Sequence, residues 1–569
     1  SYPHCWRCHN PVIFRATEQW FINIDTPLKN ADGSGTTFRQ RALDEINSVN
    51  WDPAWGKERI SNMIATRPDW CISRQRIWGV PIAVFLCNQC HTPLNDAALN
   101  KHIVSLFHQE GAEAWHKHSV EELLPNGTAC KHCGNKQGDA ALLAFRKEMD
   151  ILDVWFDSGI SWHAVLETDP ELRWPADLYI EGADQHRGWF HSSLLCSVAI
   201  KNAAPYKSVT TVGWTLDEQG RAFSKSLGNG VDPVSIADKL GAEIVRLWAA
   251  SVDFREDVAA SDNLMQRAAE NYRKLRNTFK FLLGNLHNFD PTQHAVADDQ
   301  LLPLDRYMLA RTRELTEKVL AWYQQFEFHR VYHAVNEFTI VDLSALYLDV
   351  LKDRMYTFAP TSLQRRSAQT VIWKITETLV RLVAPILTFT AEEVWSYLPQ
   401  SEGRELSVHL ALFPKLEELG SKDKMLLQDW RKLLDFRNSV FARLEERRRE
   451  KTIGKSLEAK ASVSISAQGG LGKILNTYES ELMELLNVSQ VSLQAVSDPA
   501  LSSAATFGIA IDFADGTKCE RCWRYYADDG PQHVRQYGPW PNVCGRCSDA
   551  LDQMGYKHLR ESGEDEACA

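Results

Sequence analysis

The chain has 569 residues, 44% hydrophobic and 24% charged, with a formal net charge of −11. That length allows about three to five domains and several buried cores, and the negative balance excludes a generic polycation mode of nucleic-acid binding. No run of about eighteen apolar residues is present and no basic-then-apolar segment opens the chain, so neither membrane spanning nor secretion is expected, and a cytoplasmic location is.

In chain order, residues 1 to 72 read as short strands and turns. Residues 73 to 232 read as α/β. Within them Asp177 to Ile180 forms an apolar strand that ends at Glu181 and Gly182, and open α/β sheets bind ligands just beyond the carboxyl ends of their strands. From Gln185 the period turns helical, with Trp189, Phe190, Leu194, Leu195 and Val198 on one stripe. Val209 to Val212 is a second β-branched strand. The loop GRAFSKSLGN, Gly220 to Asn229, follows it; a loop so rich in small residues lets backbone N–H groups and one ammonium, Lys225, converge on phosphate oxygens. Residues 233 to 300 are helical by period, and 301 to 451 almost wholly so, with Pro385, Pro399 and Pro414 as breaks. Residues 452 to 517 alternate strand-like runs with a helix, and the closing ESGEDEACA reads as a disordered tail.

Ten of the thirteen cysteines fall in five C-x-x-C pairs. Four thiolates complete a tetrahedron, and a two-residue gap lets one turn present two sulfurs to a metal. Cys519/Cys522 and Cys544/Cys547, twenty-one residues apart, have the spacing of a zinc ribbon. Cys87/Cys90 and Cys130/Cys133 bracket a longer segment that suits an inserted ribbon. Cys5/Cys8 is left without a second pair. The plain alternative is unliganded thiols in a reducing compartment.

Further runs are SYPHCWRC at Ser1, ATEQWFI at Ala16, SRQRIWGVP at Ser73, DVWFDSG at Asp153, YLDVLKDRMY at Tyr347, APILTFTAEEVW at Ala384 and GKSLEA at Gly454. With YIEGADQHRGWF at Tyr179 and the Lys225 loop, they resemble the class I aminoacyl-tRNA synthetases, and within them the bacterial isoleucyl-tRNA synthetases. The resemblance runs from the first residue to the terminal cysteine module. The second signature of the family is Lys-Met-Ser-Lys-Ser; the same positions here are Ala222, Phe223, Ser224, Lys225 and Ser226. The second Lys is kept and the first is replaced, with Arg221 beside it as a substitute cation. The family's first signature, of the His-Ile-Gly-His type, is not among these residues. The resemblance therefore implies a C-terminal fragment without the first half of the catalytic domain and the main editing region, inactive by itself.

The implied fold is multidomain α/β plus all-α. Residues 1–72 close the editing and connective insertion, and 73–232 are the second half of a class I Rossmann-like nucleotide-binding fold, with a zinc-ribbon insertion at about 87–146. A helical stem-contact connector (233–300), a helical anticodon-binding bundle (301–451), a small junction (452–517), a zinc-ribbon module (518–551) and the tail (552–569) complete it. The implied activity is ATP-dependent attachment of isoleucine to its tRNA through an isoleucyl-adenylate, by a monomer using Mg2+ with ATP and holding two zinc ions. On the same resemblance Lys225, Ser224 and Ser226 are catalytic, Lys225 and Gln185 bind ATP, and Glu181, Asp184, Gln185, Trp189 and Trp78 hold the adenylate. A hydrophobic wall separates side chains that differ by one methylene by only about 1–3 kcal/mol, a value known from this family itself, so editing is expected in the intact enzyme. Lys352 and Arg354, and Arg521, Trp523, Arg524 and Tyr525, are the candidate RNA contacts. Arg447, Arg448 and Arg449 fit either RNA phosphates or a solvated helix face. The alternatives are a valyl or leucyl enzyme and a non-catalytic, zinc-containing tRNA-binding protein derived from a synthetase.

Overall fold

Apolar residues four apart, at Phe38, Ala42 and Ile46 and again at Ile60 and Ile64, build two helices of eleven residues each, α1 (Phe38–Ser48) and α2 (Trp55–Ala65). They occupy a stretch whose sequence suggested only strands and turns. The computed structural model describes residues 2–5, 8–29, 33–138, 143–223, 228–416, 418–465, 470–495 and 507–556. The chain forms two compact units, Ser1–Trp214 with Arg255–Asp257, and Thr215–Phe254 with Val258–Ala569.

The first unit is built on a three-stranded parallel sheet in the order β2-β3-β1: β2 (Tyr179–Gly182) pairs with β3 (Ser208–Val212), and β3 with β1 (Asn50–Asp52). Between β2 and β3 the chain crosses over through α4 (Trp189–Lys201), and the shorter α3 (Val154–Gly159) precedes β2. The sequence pattern gives α4 one apolar stripe, yet every residue from Phe190 to Val198 is buried. Apart from His191 the polar ones are small: Ser193 and Ser197 are fully covered, and Ser197 donates to the Ala203 carbonyl at 2.8 Å. Such a helix is covered on all sides. On the α3 side the approach is close, since a Cβ on Gly159 would meet the Ser192 carbonyl oxygen at 2.9 Å. A separate small core around Phe85, Trp115 and Phe145 supports the inserted cysteine segment.

The second unit is mainly helical. In chain order come α5 (Pro233–Leu240), α6 (Ala242–Ser251), α7 (Asp262–Asn285), α8 (Pro303–Gln324), α9 (Phe328–Glu337), a π-helical stretch Phe338–Tyr347, α10 (Lys352–Thr357), α11 (Leu363–Val383), α12 (Thr388–Tyr397) and α13 (Ser421–Arg449). Their apolar faces merge into one large core through Leu282, Met308, Tyr347, Ile375, Trp395 and Trp430. A mixed sheet in the order β5-β4-β6 follows, from β5 (Gln490–Ala495), β4 (Ala459–Ile465) and β6 (Gly508–Phe513), and then the cysteine module with α14 (Gly545–Gln553). Among the described residues no helix is long and apolar enough to cross a membrane.

Candidate functional site

The carboxyl end of β2 places Glu181 and Gly182, and a single 3-10 turn, Ala183–His186, carries Asp184 and Gln185 to the start of α4. Local hydrogen bonds hold the group together. The Glu181 carboxylate accepts the Gly182 N–H at 2.8 Å, Gln185 Nε2 donates to Asp184 at 3.3 Å, and the Trp189 N–H donates to Gln185 Oε1 at 3.0 Å. Glu181 and Asp184 are exposed. The Trp189 indole stacks on Tyr179, centroids 4.0 Å apart, and its N–H is held by the Ser158 carbonyl at 3.1 Å. Beneath the turn, His186 packs against Trp51 and Trp55, and burial pushes it below its ordinary pKa.

Four of the five residues expected at the adenylate are therefore neighbours. The fifth, Trp78, stands 87% exposed on its loop. The indole beside the group is Trp155 of the DVWFDSG run: a Cβ on Gly188 would strike Gln185 Oε1 at 2.5 Å and Trp155 Cη2 at 2.7 Å. Gly188 is thus required by close approach to Trp155, an indole that the sequence reading did not place at the adenylate. Its place in a quoted motif was the available signal.

In the second unit, Ser224, Lys225 and Ser226 lie outside the described residues. The two ends of their loop are pinned by one carboxylate. Asp217 accepts the N–H groups of Gln219 (3.0 Å) and Arg221 (2.9 Å), Arg221 Nε (2.8 Å) and Asn229 Nδ2 (2.9 Å). Those donors, Asn229 first, hold Asp217 well below the usual carboxylate range. Arg221, expected as a substitute cation, is committed to Asp217 and Gln219. Arg221, Gly228, Asp232 and Lys239 border a cavity of about 760 Å³ beside this loop, and Asp232 caps α5 by accepting from Val234 and Ser235 at 3.2 Å each.

Two four-cysteine clusters form, Cys87/Cys90/Cys130/Cys133 and Cys519/Cys522/Cys544/Cys547, with the sulfurs of each within 4.8 Å of one another. Cys87–Cys133 and Cys90–Cys130 are 3.6 Å apart and Cys522–Cys544 3.9 Å. Sulfurs bound at about 2.3 Å around one tetrahedral ion lie about 3.8 Å apart, so both sets fit a single metal. Three of the four turns share one geometry: the N–H of Cys87, Cys130 or Cys519 bonds a carbonyl five residues on, and a left-handed residue, His91, Gly134 or Trp523, follows the second Cys; Cys544 instead opens α14 and donates its N–H to Cys519 Sγ at 3.3 Å. Cys5/Cys8 has the same turn, with Cys5 N–Asn10 O at 2.8 Å and His9 at φ 59°, but joins neither cluster among the described residues.

The expected RNA contacts divide. Arg354 is a correction: it is 2% exposed and enclosed by Asp305 (3.3 Å), Glu481 (3.0 Å) and Glu484 (2.6 Å). Its neighbour Asp353 receives Arg524 and Arg546 of the cysteine module at 3.0 Å each, so Arg524 is also withdrawn from RNA. Arg521 donates to the Thr357 carbonyl, and Tyr525 packs on Phe513. Trp523 remains, 57% exposed, with the Lys455 ammonium 5.8 Å from its ring. Lys352 is exposed and pairs with Asp349 at 2.7 Å. Arg447 pairs with Glu450 and Arg448 with Glu445, which makes this run a charge-paired helix face.

The family described as tRNA synthetases class I (I, L, M and V) matches residues 7–261, and the anticodon-binding domain of tRNA ligase matches residues 305–464. The isoleucine–tRNA ligase of Carboxydothermus hydrogenoformans is 47% identical over 98% of this chain and 58% of that protein. The isoleucine–tRNA ligase of Geobacter sulfurreducens is 48% identical over 97% of the chain and 57% of that protein. The chain thus spans somewhat over half the length of these curated relatives. Among solved structures, Mycobacterium tuberculosis methionyl-tRNA synthetase bound by methionyl-adenylate matches with a TM-score of 0.47 and 17% identity, over 70% of this chain and 66% of that one. On the family matches and the relatives together, the chain belongs to the class I tRNA synthetases.

Proposed function

We propose that this chain is part of an ATP-dependent isoleucine–tRNA ligase located in the cytoplasm. Identity of 47% along 98% of the chain with a ligase for isoleucine carries the reading, and the relatives favour neither a valyl or leucyl enzyme nor a non-catalytic derivative.

In activation, a carboxylate oxygen of isoleucine attacks the α-phosphorus of ATP, the bond to the bridging oxygen breaks, and pyrophosphate leaves with the electron pair. A hydroxyl of the terminal tRNA ribose then attacks the adenylate carbonyl and AMP departs. Positioned donors and cations account for most of such catalysis. Glu181, exposed at the strand end, takes the α-ammonium of isoleucine. Asp184 and Gln185 line the same turn, and Gln185 is oriented by the Trp189 N–H. Trp189 and Trp155 wall the aliphatic side chain, the first fixed by its stack on Tyr179. Lys225, Ser224 and Ser226 are assigned to the leaving phosphates on the sequence motif, and Mg2+ bound with ATP supplies further positive charge. The two cysteine clusters would hold zinc in structural roles.

The test is isotope exchange between pyrophosphate and ATP, followed by tRNA charging, on the protein that carries this chain. Exchange stimulated by isoleucine in preference to valine and leucine, and lost in Glu181→Ala, is expected. Equal stimulation by leucine, or none by isoleucine, would overturn the reading.

A further inference from the structure

Trp155 and Gly188 also border a second cavity in the first unit, about 390 Å³ in volume, whose other walls carry Arg67, Asp69, Trp70, Arg74, Arg187 and His191. Its charges do not balance. Arg74 is fully engaged, donating to the carbonyls of Cys71 (2.9 Å) and Ser73 (2.7 Å) and to Asp153 at 2.8 Å. Asp69, the other carboxylate of the lining, accepts the Ile24 N–H at 3.0 Å. Arg74–Asp153 is the one ion pair among the described lining residues; Arg67 and Arg187 make none, and Arg67 feels only the charge of the Asp153 already bonded to Arg74.

Arg67 is the telling group. Its guanidinium lies 5.2 Å from the Trp70 ring centre, and NH1 meets His191 Nε2 at 3.2 Å. A guanidinium only donates, so Nε2 is the acceptor and the His191 proton sits on Nδ1. That nitrogen is buried without a partner in a residue only 3% exposed, and Arg67 Nε is also unpartnered. Burial, then the charges of Arg67 and Arg187, lower His191 to a pKa of about 3, so it adds no positive charge. Burial outweighs the shared Asp153 charge and lowers Arg67 from its ordinary pKa, so a half-buried guanidinium with no ion pair of its own is costly, and an oxyanion on its open edge offsets that cost. Guanidinium forks match phosphate oxygens. The flanking Trp155 indole, 43% exposed, supplies a flat face of the kind on which unpaired bases stack, and the volume suits a nucleotide better than a bare ion.

We propose that this cavity is a second ligand site that takes a phosphate group, with Arg67 and Arg187 on its oxygens and, where the phosphate belongs to a nucleotide, the Trp155 indole against the base. The phosphate has two possible sources, the phosphodiester of a single-stranded RNA end or a free phosphate. The RNA source rests on the ligase reading above; phosphate binding itself does not.

The experiment is isothermal titration of this chain at low salt with inorganic phosphate and, separately, with a single-stranded RNA trinucleotide. Saturable one-to-one binding is expected, weakened about tenfold by Arg67→Gln and by Arg187→Gln, as loss of a charged hydrogen bond requires. Tighter binding of the trinucleotide than of phosphate assigns the site to RNA, and binding of phosphate alone assigns it to the free anion. Arg187 is exposed, so Arg187→Gln decides the matter should Arg67→Gln fail to fold. Absence of saturable binding by both probes, or unchanged affinity in a folded Arg187→Gln, overturns the proposal. Isoleucine-dependent exchange can succeed or fail independently of this result.

Discussion

At Gly188 an added methyl group would collide with Gln185 and Trp155 at once. Gly188→Ala is therefore expected to displace Gln185 and Trp155 and, on the proposed function, to reduce kcat/KM for isoleucine by about a hundredfold in pyrophosphate exchange, with little change in melting temperature. Trp155→Ala should raise KM for isoleucine about tenfold, whereas Trp78→Ala, at an 87% exposed ring, should leave it near wild type. The reverse ranking would return the wall to Trp78. Sequence made Glu181, Asp184, Gln185 and Trp189 legible because they lie within nine residues of one strand end. It did not single out Trp155, because Trp78 and Trp155 both sit in matching motifs and only tertiary packing tells which ring meets Gly188. Asp217 belongs to this scale too. Its pKa in the fold is depressed, so its contribution to holding the loop is complete above the unfolded value of about 3.9 and is lost as pH falls through the lower folded value. Protection of the Arg221 amide against hydrogen exchange, measured relative to Asp217→Asn at each pH, should be constant from pH 7 to 5 and shrink only below about 4. A loss beginning near neutrality would mean that a histidine or another group pins the loop.

The short helix α10 carries adjacent residues with opposite tasks. Arg354 faces three carboxylates inside the second unit, and Asp353 receives two arginines from the cysteine module. Removing one partner of a buried ionic group leaves the others uncompensated, at about 3–5 kcal/mol. Arg354→Met should lower stability in denaturant by that order, with Asp305 and Glu481 left buried and charged or forced to take up protons. Asp353→Asn should be milder for the bundle but should loosen the cysteine module, seen as faster amide exchange across Cys519–Cys547 with metal content unchanged. Equal exchange in Asp353→Asn and wild type would show that the module is held elsewhere. The helical period of α10 is legible in the sequence, and the resemblance of its run to an anticodon-binding domain pointed Arg354 to RNA, because nothing local shows what a basic side chain faces. Those partners stand 49 to 193 positions away, beyond any local pattern. The same limit applies to α4, whose serines read as a polar side and turn out to be small enough to bury.

Across the whole molecule, the two cysteine clusters differ in protection although their sulfur spacing is alike. In the inserted cluster Cys133 is exposed and Cys90 half-buried; in the terminal cluster all four cysteines are buried. The terminal cluster is braced further, by Arg521 at 3.5 Å from Cys547 Sγ and by the Asp353 ion pairs. Both sets fit one ion each, so two zinc ions per chain are expected, and the sulfurs must be reached before the metal leaves. Titration with a thiol-directed mercurial, with released zinc followed by a chromogenic chelator, should therefore be biphasic: one equivalent leaves quickly from the exposed cluster and one slowly from the braced cluster. Cys544→Ser should delete the slow phase alone and unfold the terminal module locally, since structural zinc contributes on the order of 10–16 kcal/mol in small finger peptides. Cys133→Ser should delete the fast phase alone. Asp353→Asn should accelerate the slow phase without changing its amplitude, because it removes the brace and leaves the ligands in place. A single phase of two equivalents would show that exposure does not govern release, and the absence of zinc from protein purified without chelator would remove the metal from both clusters.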